Sequence, residues 1–167
     1  METGDAHALA RALQAAAGQR LAEAAPVPDG AGLLDALVTE PDLRAVVRQV
    51  FLNGHYGLAV EEGFKYLNNL VKRRSGLEAD GSSLMGSAFS MHSPVLKLND
   101  LRTQSKKDQQ LGYMQILQGS MTGIRNPRAH EHKYLDEPRN AIELLALCNH
   151  LVRLVTNANR ARSRRTP

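Results

Sequence analysis

The sequence predicts an all-α fold, an up-down helical bundle with an N-terminal helical extension and a long ordered loop. Three observations carry that prediction. Apolar residues recur at steps of three and four in several long segments, the period of one helix face. The aromatic content is low, with three Phe, four Tyr and no Trp, so Leu, Ala, Val and Met must build the core, which suits helix-on-helix packing. No alternating stretch is long enough to demand a sheet, and no internal repeat is present. A chain of 167 residues is sized for one domain, and one of this length buries about 70% of its unfolded surface.

Taken in order, residues from about Ala6 to Ala25 form an Ala- and Leu-rich helix with Leu9, Leu13, Ala16, Arg20 and Ala24 at helical steps. Pro26 to Gly30 breaks it, and Leu33, Leu34, Leu37 and Val38 start a short second helix that ends before Pro41. The boundary between extension (1–40) and main domain (41–158) falls there. Asp42 is placed to cap a helix whose face is Val46, Val47, Val50 and Phe51. Asn53-Gly-His-Tyr-Gly57 interrupts it with a kink or short turn. The next helix carries Val60, Phe64, Leu67 and Val71, and ends on Lys72-Arg73-Arg74, favourable for its dipole. Ser75 to Asn99, rich in Gly and Ser around Leu84, Met85, Phe89 and Met91, reads as a packed loop that covers the site described below. A helix beginning at Ser105 has Leu111, Met114, Leu117, Met121 and Ile124 as its stripe. Pro138 suits the first turn of the last helix, with Ala141, Leu144, Leu145, Cys148, Leu151, Val152 and Val155 inward. The last two helices are expected to pair antiparallel, and Asn157 to Pro167 to form a basic frayed tail, flexible over 159–167.

The net charge is +4, gathered in Lys72-Arg73-Arg74, Lys106-Lys107 and the tail arginines Arg160, Arg162, Arg164 and Arg165. Such clusters suit a polyanion, although each taken alone also reads as a solvated helix end. The single cysteine, Cys148, excludes an intramolecular disulfide framework and points to a reducing cytoplasm. The first 20 residues have acids near their start and no continuous apolar core, so neither a signal peptide nor a membrane span is expected. Gly81-Ser-Ser lacks the Gly-Lys-Ser/Thr ending of a P-loop, which argues against ATP hydrolysis. His130, His132, Cys148 and His150 fit no compact zinc spacing, so neither metal nor other cofactor is expected.

Chemistry concentrates in Ile124-Arg-Asn-Pro-Arg-Ala-His-Glu-His132. Pro127 has no N–H and disfavours the α region at Asn126, so the incoming helix is expected to end near Arg125. On an unbroken helix Arg125 and His130 point in different directions; a turn at Pro127 brings both to one space. Arginine offers two phosphate oxygens a planar, permanently charged fork, and histidine exchanges a proton near neutral pH. Together they suit metal-independent phosphoryl transfer, with His130 taking the proton of an RNA 2′-hydroxyl and Arg125 stabilising the charge at phosphorus. The same residues also suit a plainer role, capping helix ends and pairing with carboxylates across an interface.

The stretches Gly81-Ser-Ser-Leu-Met-Gly-Ser-Ala-Phe-Ser90, Gln110-Leu-Gly-Tyr-Met114 and Gly123-Ile-Arg-Asn-Pro-Arg-Ala-His-Glu131 resemble a bacterial family of uncharacterised Ymh-type proteins with a C-terminal HEPN-like domain. The Arg-Asn-x3-His pattern resembles the signature of HEPN ribonucleases, and Gly54-His55-Tyr56 near a helix start is similar as well. His55 itself reads as a structural histidine before it reads as the lining of a groove. The resemblance implies an endoribonuclease of a toxin–antitoxin or phage-defence system, acting on RNA in the cytoplasm as a homodimer, with an antitoxin or defence-system protein as a further partner. Arg125, His130 and Asn126 are the implied catalytic residues. His132, Arg128 and Glu131 support them: a second acid, a charge at the rim and a group that fixes the imidazole tautomer. Lys133, Arg139, Lys72, Arg73 and Arg74 are the candidates for RNA contact. HEPN-like proteins without activity serve as RNA- or protein-binding and dimerisation modules, which is the alternative reading. Some HEPN toxins carry a modified Tyr two residues after the His; here that position is His132, with Tyr134 nearest.

Overall fold

Helix α1 (Gly30–Leu37), α2 (Pro41–Leu52) and α3 (Tyr56–Ser75) follow one another with only short connections. This is a computed structural model, and it describes residues 30–130 and 136–161. The helix expected over Ala6 to Ala25, the residues Glu131, His132, Lys133 and Tyr134, and the end of the basic tail lie outside the described residues. The chain continues through α4 (Gly81–Ala88), a two-residue strand β1 (Leu96–Lys97), α5 (Gln104–Ser120), a π-helical turn (Met121–Arg125), α6 (Asn126–His130), α7 (Pro138–Thr156) and β2 (Asn159–Arg160). The fold is all-α, and β1 and β2 form only a short antiparallel clip. No helix among the described residues is long and apolar enough to cross a membrane.

The caps explain the boundaries. Pro41 opens α2 at its first turn, where a missing N–H costs nothing. The cap position is Glu40 rather than the expected Asp42, and its backbone N–H is held by Asn149 Oδ1 of α7 at 2.8 Å. Gly54 turns the chain between α2 and α3 with φ at 82°, a conformation that favours glycine. Gly76 ends α3 in the same left-handed region, its N–H donating to the Lys72 carbonyl.

Helix α3 is the centre, packed against α2, α7, α4, the π turn and α6. Phe64, Leu67, Val71, Val47, Leu145 and Leu151 are fully buried around it, and Leu34 and Val38 close the same core from the N-terminal side. Gly63 permits the crossing: a Cβ there would lie 3.1 Å from Leu145 Cδ2 and 3.3 Å from Val47 Cγ1.

Three expectations need correction. The Ser75–Asn99 stretch is not all loop, because Gly81–Ala88 is helical and buries Leu84, Met85 and Ala88, with Phe89 following. Burial of four apolar side chains outweighs the poor helix propensity of Gly and Ser. This helix, rather than α7, covers α5. The expected α5–α7 pairing is therefore reduced to edge contacts such as Tyr113 Oη to His150 Nε2 at 2.7 Å, while Leu111 of the predicted stripe stays exposed. Finally, the chain is held in place beyond the end of α7 as far as Ala161. Ala158 is buried, Asn159 and Arg160 pair with β1, and Ala161 donates to the Val95 carbonyl at 2.8 Å. The rest of that connection is pinned by Gln110, fully buried, which donates to the Phe89 and Leu96 carbonyls and accepts from Leu98 N–H.

Candidate active site at a π-helical turn

The helix arriving through Leu117 does not stop at Arg125. It widens at Met121–Arg125, where the Asn126 N–H donates to the Met121 carbonyl five residues back, and continues as α6 through His130. Asn126 is helical, with φ −64° and ψ −43°. The predicted turn at Pro127 is thus a π turn followed by helix. A π turn shifts the carbonyl register by one residue, which accommodates a ring that clashes with the carbonyl four back in a regular helix. One consequence concerns convergence. Positions 125 and 130 of a regular helix differ by about 140° in direction and about 7.5 Å in rise. Arg125 is half-buried, whereas His130 is exposed at the helix end, and no hydrogen bond joins them among the described residues.

Arg125 closes the π turn, which packs on α3. One guanidinium nitrogen (Nη1) donates to Asn126 Oδ1 at 3.2 Å. Its Nε is buried and has no hydrogen-bond partner among the described residues. One carboxylate that feels the charge of Arg125 is Asp80, the residue before α4. The Asp80 carboxylate accepts from Asn68 Nδ2 at 2.7 Å and lies 3.2 Å from Lys72 Nζ. The Asn68 hydrogen bond, then Lys72, and finally the charge of Arg125 hold the Asp80 carboxyl below its ordinary range. Asn68 is itself buried and also accepts the Gly81 N–H at 3.0 Å, so one amide fixes both the carboxylate and the start of α4.

Arg128 belongs to the fold and not to the rim. Its side chain is 3% exposed and forks onto Asp136, which is 2% exposed, through Nε–Oδ2 at 2.6 Å and Nη2–Oδ1 at 2.7 Å. Its Nη1 donates to the Ile124 carbonyl at 2.8 Å, and Asn140 Nδ2 donates to Asp136 Oδ1 at 2.6 Å. A buried cation needs such pairing, which overrides the exposure expected of an arginine in a polar motif.

The other candidates disperse. Lys72 pairs with Asp80 at 3.2 Å. Arg73 is exposed and stacks over the Tyr66 ring at 5.8 Å. Arg74 donates to the Ala158 carbonyl and anchors the C-terminal clip. Arg139 is exposed and meets Glu143 at 3.2 Å one turn on. His55 sits at the opposite end of α3, roughly 25 Å along the axis from Lys72. Cys148 is buried, and burial pushes its thiol up, away from the reactive thiolate. His132, Glu131 and Lys133 lie outside the described residues.

Asn68, Asp80 and Asp136 enter the site without having been singled out from sequence. For Arg128 a signal was present: it extends the stripe Leu117, Met121, Ile124 by four residues, onto the buried face.

A family model described as a protein of unknown function, Hypoth_Ymh, matches residues 38–155. No curated protein and no solved structure matches the chain.

Proposed function

We propose that this chain, which belongs to the Hypoth_Ymh family of proteins of unknown function, is a HEPN-type endoribonuclease of a bacterial toxin–antitoxin or phage-defence system. The observation that carries the reading is the state of Arg125, held half-buried at a π turn with a buried Nε that has no hydrogen-bond partner among the described residues. A phosphate drawn to the half-buried side chain offsets its charge. Turns of this kind recur at functional sites. In the reaction His130 removes the proton of a ribose 2′-hydroxyl, and that oxygen attacks the adjacent phosphorus. The bond to the 5′-oxygen breaks, the oxygen leaves with a proton from a second histidine, and a 2′,3′-cyclic phosphate remains. Arg125 stabilises the charge at phosphorus, and Asn126 holds Arg125.

The direction of His130 away from Arg125 favours a site shared by two chains, in which the proton donor is the partner's histidine and His132 of the same chain competes for that role. The outer face of α5 suits such a homodimer. Leu111 and Ile116 are 38% and 45% exposed, and Gly112, Gly119 and Gly123 have open space over their backbone. A binding module without catalysis is the second reading, favoured by the Asp80 carboxylate that already faces Arg125.

The test is cleavage of an end-labelled structured RNA by wild type and by His130→Ala in excess EDTA. Cyclic phosphate ends from wild type alone support the proposal. RNA bound by a folded dimer but never cut, or cut equally by the variant, moves the assignment to the binding module.

A further inference from the structure

The side chains of Arg128 and Asp136 are buried against each other, next to residues with proposed chemistry. Their geometry spans three elements. From its place in α6 the Arg128 guanidinium reaches back to the carbonyl of Ile124, the residue before Arg125 in the π turn. It also reaches forward to the carboxylate of Asp136, which Asn140 of α7 holds in turn. The same side chain therefore fixes the backbone on the Arg125 side and ties α6, which ends at His130, to the start of α7.

The geometry points to Arg128 and Asp136 as positioning residues, a latch that fixes the backbone carrying Arg125 and His130; this inference rests on the ribonuclease reading above. The physical case is directional. A bidentate arginine–carboxylate pair has one geometry, and a third hydrogen bond to a main-chain carbonyl transmits it to the π turn. Stability alone does not require charge at this place, because a buried ion pair is matched or bettered by apolar side chains of similar volume. What the apolar pair lacks is the bond to the Ile124 carbonyl. Small displacements of a general base are costly, so the latch acts on turnover and leaves the capture of RNA by exposed lysines and arginines alone.

The experiment compares wild type, Arg128→Lys and the double variant Arg128→Met/Asp136→Leu. Thermal unfolding, RNA affinity and turnover are measured for each, together with the carbon–proton ring signal of His130, assigned by its loss in His130→Gln. The expected double variant melts at or above the wild-type temperature and binds RNA within about twofold, while turnover falls about a hundredfold. Its His130 signal moves toward the position found in an unfolded peptide. Arg128→Lys, which keeps the charge and loses the fork, shows the same signal change even if the double variant fails to fold. A well-folded double variant with wild-type turnover and an unmoved His130 signal overturns the latch. If wild type itself cuts no RNA, the ribonuclease reading fails, and the ring signal still decides whether the pair positions His130.

Discussion

Arg125 and Arg128 stand three residues apart in one motif and live in opposite surroundings. Arg128 is enclosed, with a carboxylate fork and a main-chain carbonyl for its donors. Arg125 is half-buried, shares one hydrogen bond with its neighbour Asn126, and leaves a buried Nε unmatched among the described residues. Its carboxylate neighbour, Asp80, is 53% exposed and committed to Asn68 and Lys72. A folded chain satisfies a buried cation when the cation serves the fold alone. The difference teaches that pairing, rather than residue type or sequence position, separates the arginine that holds the structure from the one left with capacity for a ligand.

The strongest way to break the comparison is Asp136→Ala. It strands the Arg128 charge in the interior, and losing one partner of a buried pair costs about 3–5 kcal/mol. Urea denaturation is expected to show that loss with an unchanged slope. A loss below about 1 kcal/mol would mean that Arg128 reaches water easily, and the two arginines would then be alike. Arg125→Met sharpens it from the other side. Removing an unmatched donor relieves a cost of about 1–3 kcal/mol while giving up one hydrogen bond, so stability is expected to hold or rise. RNA affinity or cleavage falls in the same variant, read by filter binding and by product ends. A strong destabilisation with unaltered RNA behaviour would assign Arg125 to the fold.

The fold was legible where burial follows period. The faces of α3 and α7, led by Phe64, Leu67, Leu145 and Leu151, are those that spacing marks out. It was illegible where a local rule loses to tertiary context. The Gly and Ser of Gly81–Ala88 argue for a loop, yet Asn68 thirteen residues earlier fixes its first N–H, and Leu84 and Met85 are buried beneath α5. Pro127 argues for a break, and a π turn upstream absorbs it. Within the site, the importance of Arg125 and Asn126 as neighbours follows from the motif, whereas Asp80 and Asp136 are recognisable only once distant segments meet. The periodicity that carries Arg128 inward competes with the habit of reading a motif arginine as a ligand group.

Asp80 supplies the subtlest test of the comparison, because it is a carboxylate from outside the motif that feels the charge of Arg125. Its folded-state pKa is lowered from the ordinary 3.8, so its contribution to stability is present above that value and is lost as pH falls through the lower folded-state value. Asp80→Asn is expected to cost less than about 1 kcal/mol near neutral pH, since the side chain is 53% exposed and solvent screens its partners. Two unfolding series across pH 2–7 measure the difference. It should shrink as the wild-type carboxyl takes its proton, and added salt should shrink it at pH 7. A difference that keeps its size at the acid end would place the effect in the neutral hydrogen bond from Asn68 alone. Arg125 would then feel no carboxylate at all, and its incomplete pairing would be greater than the geometry at Asn126 suggests.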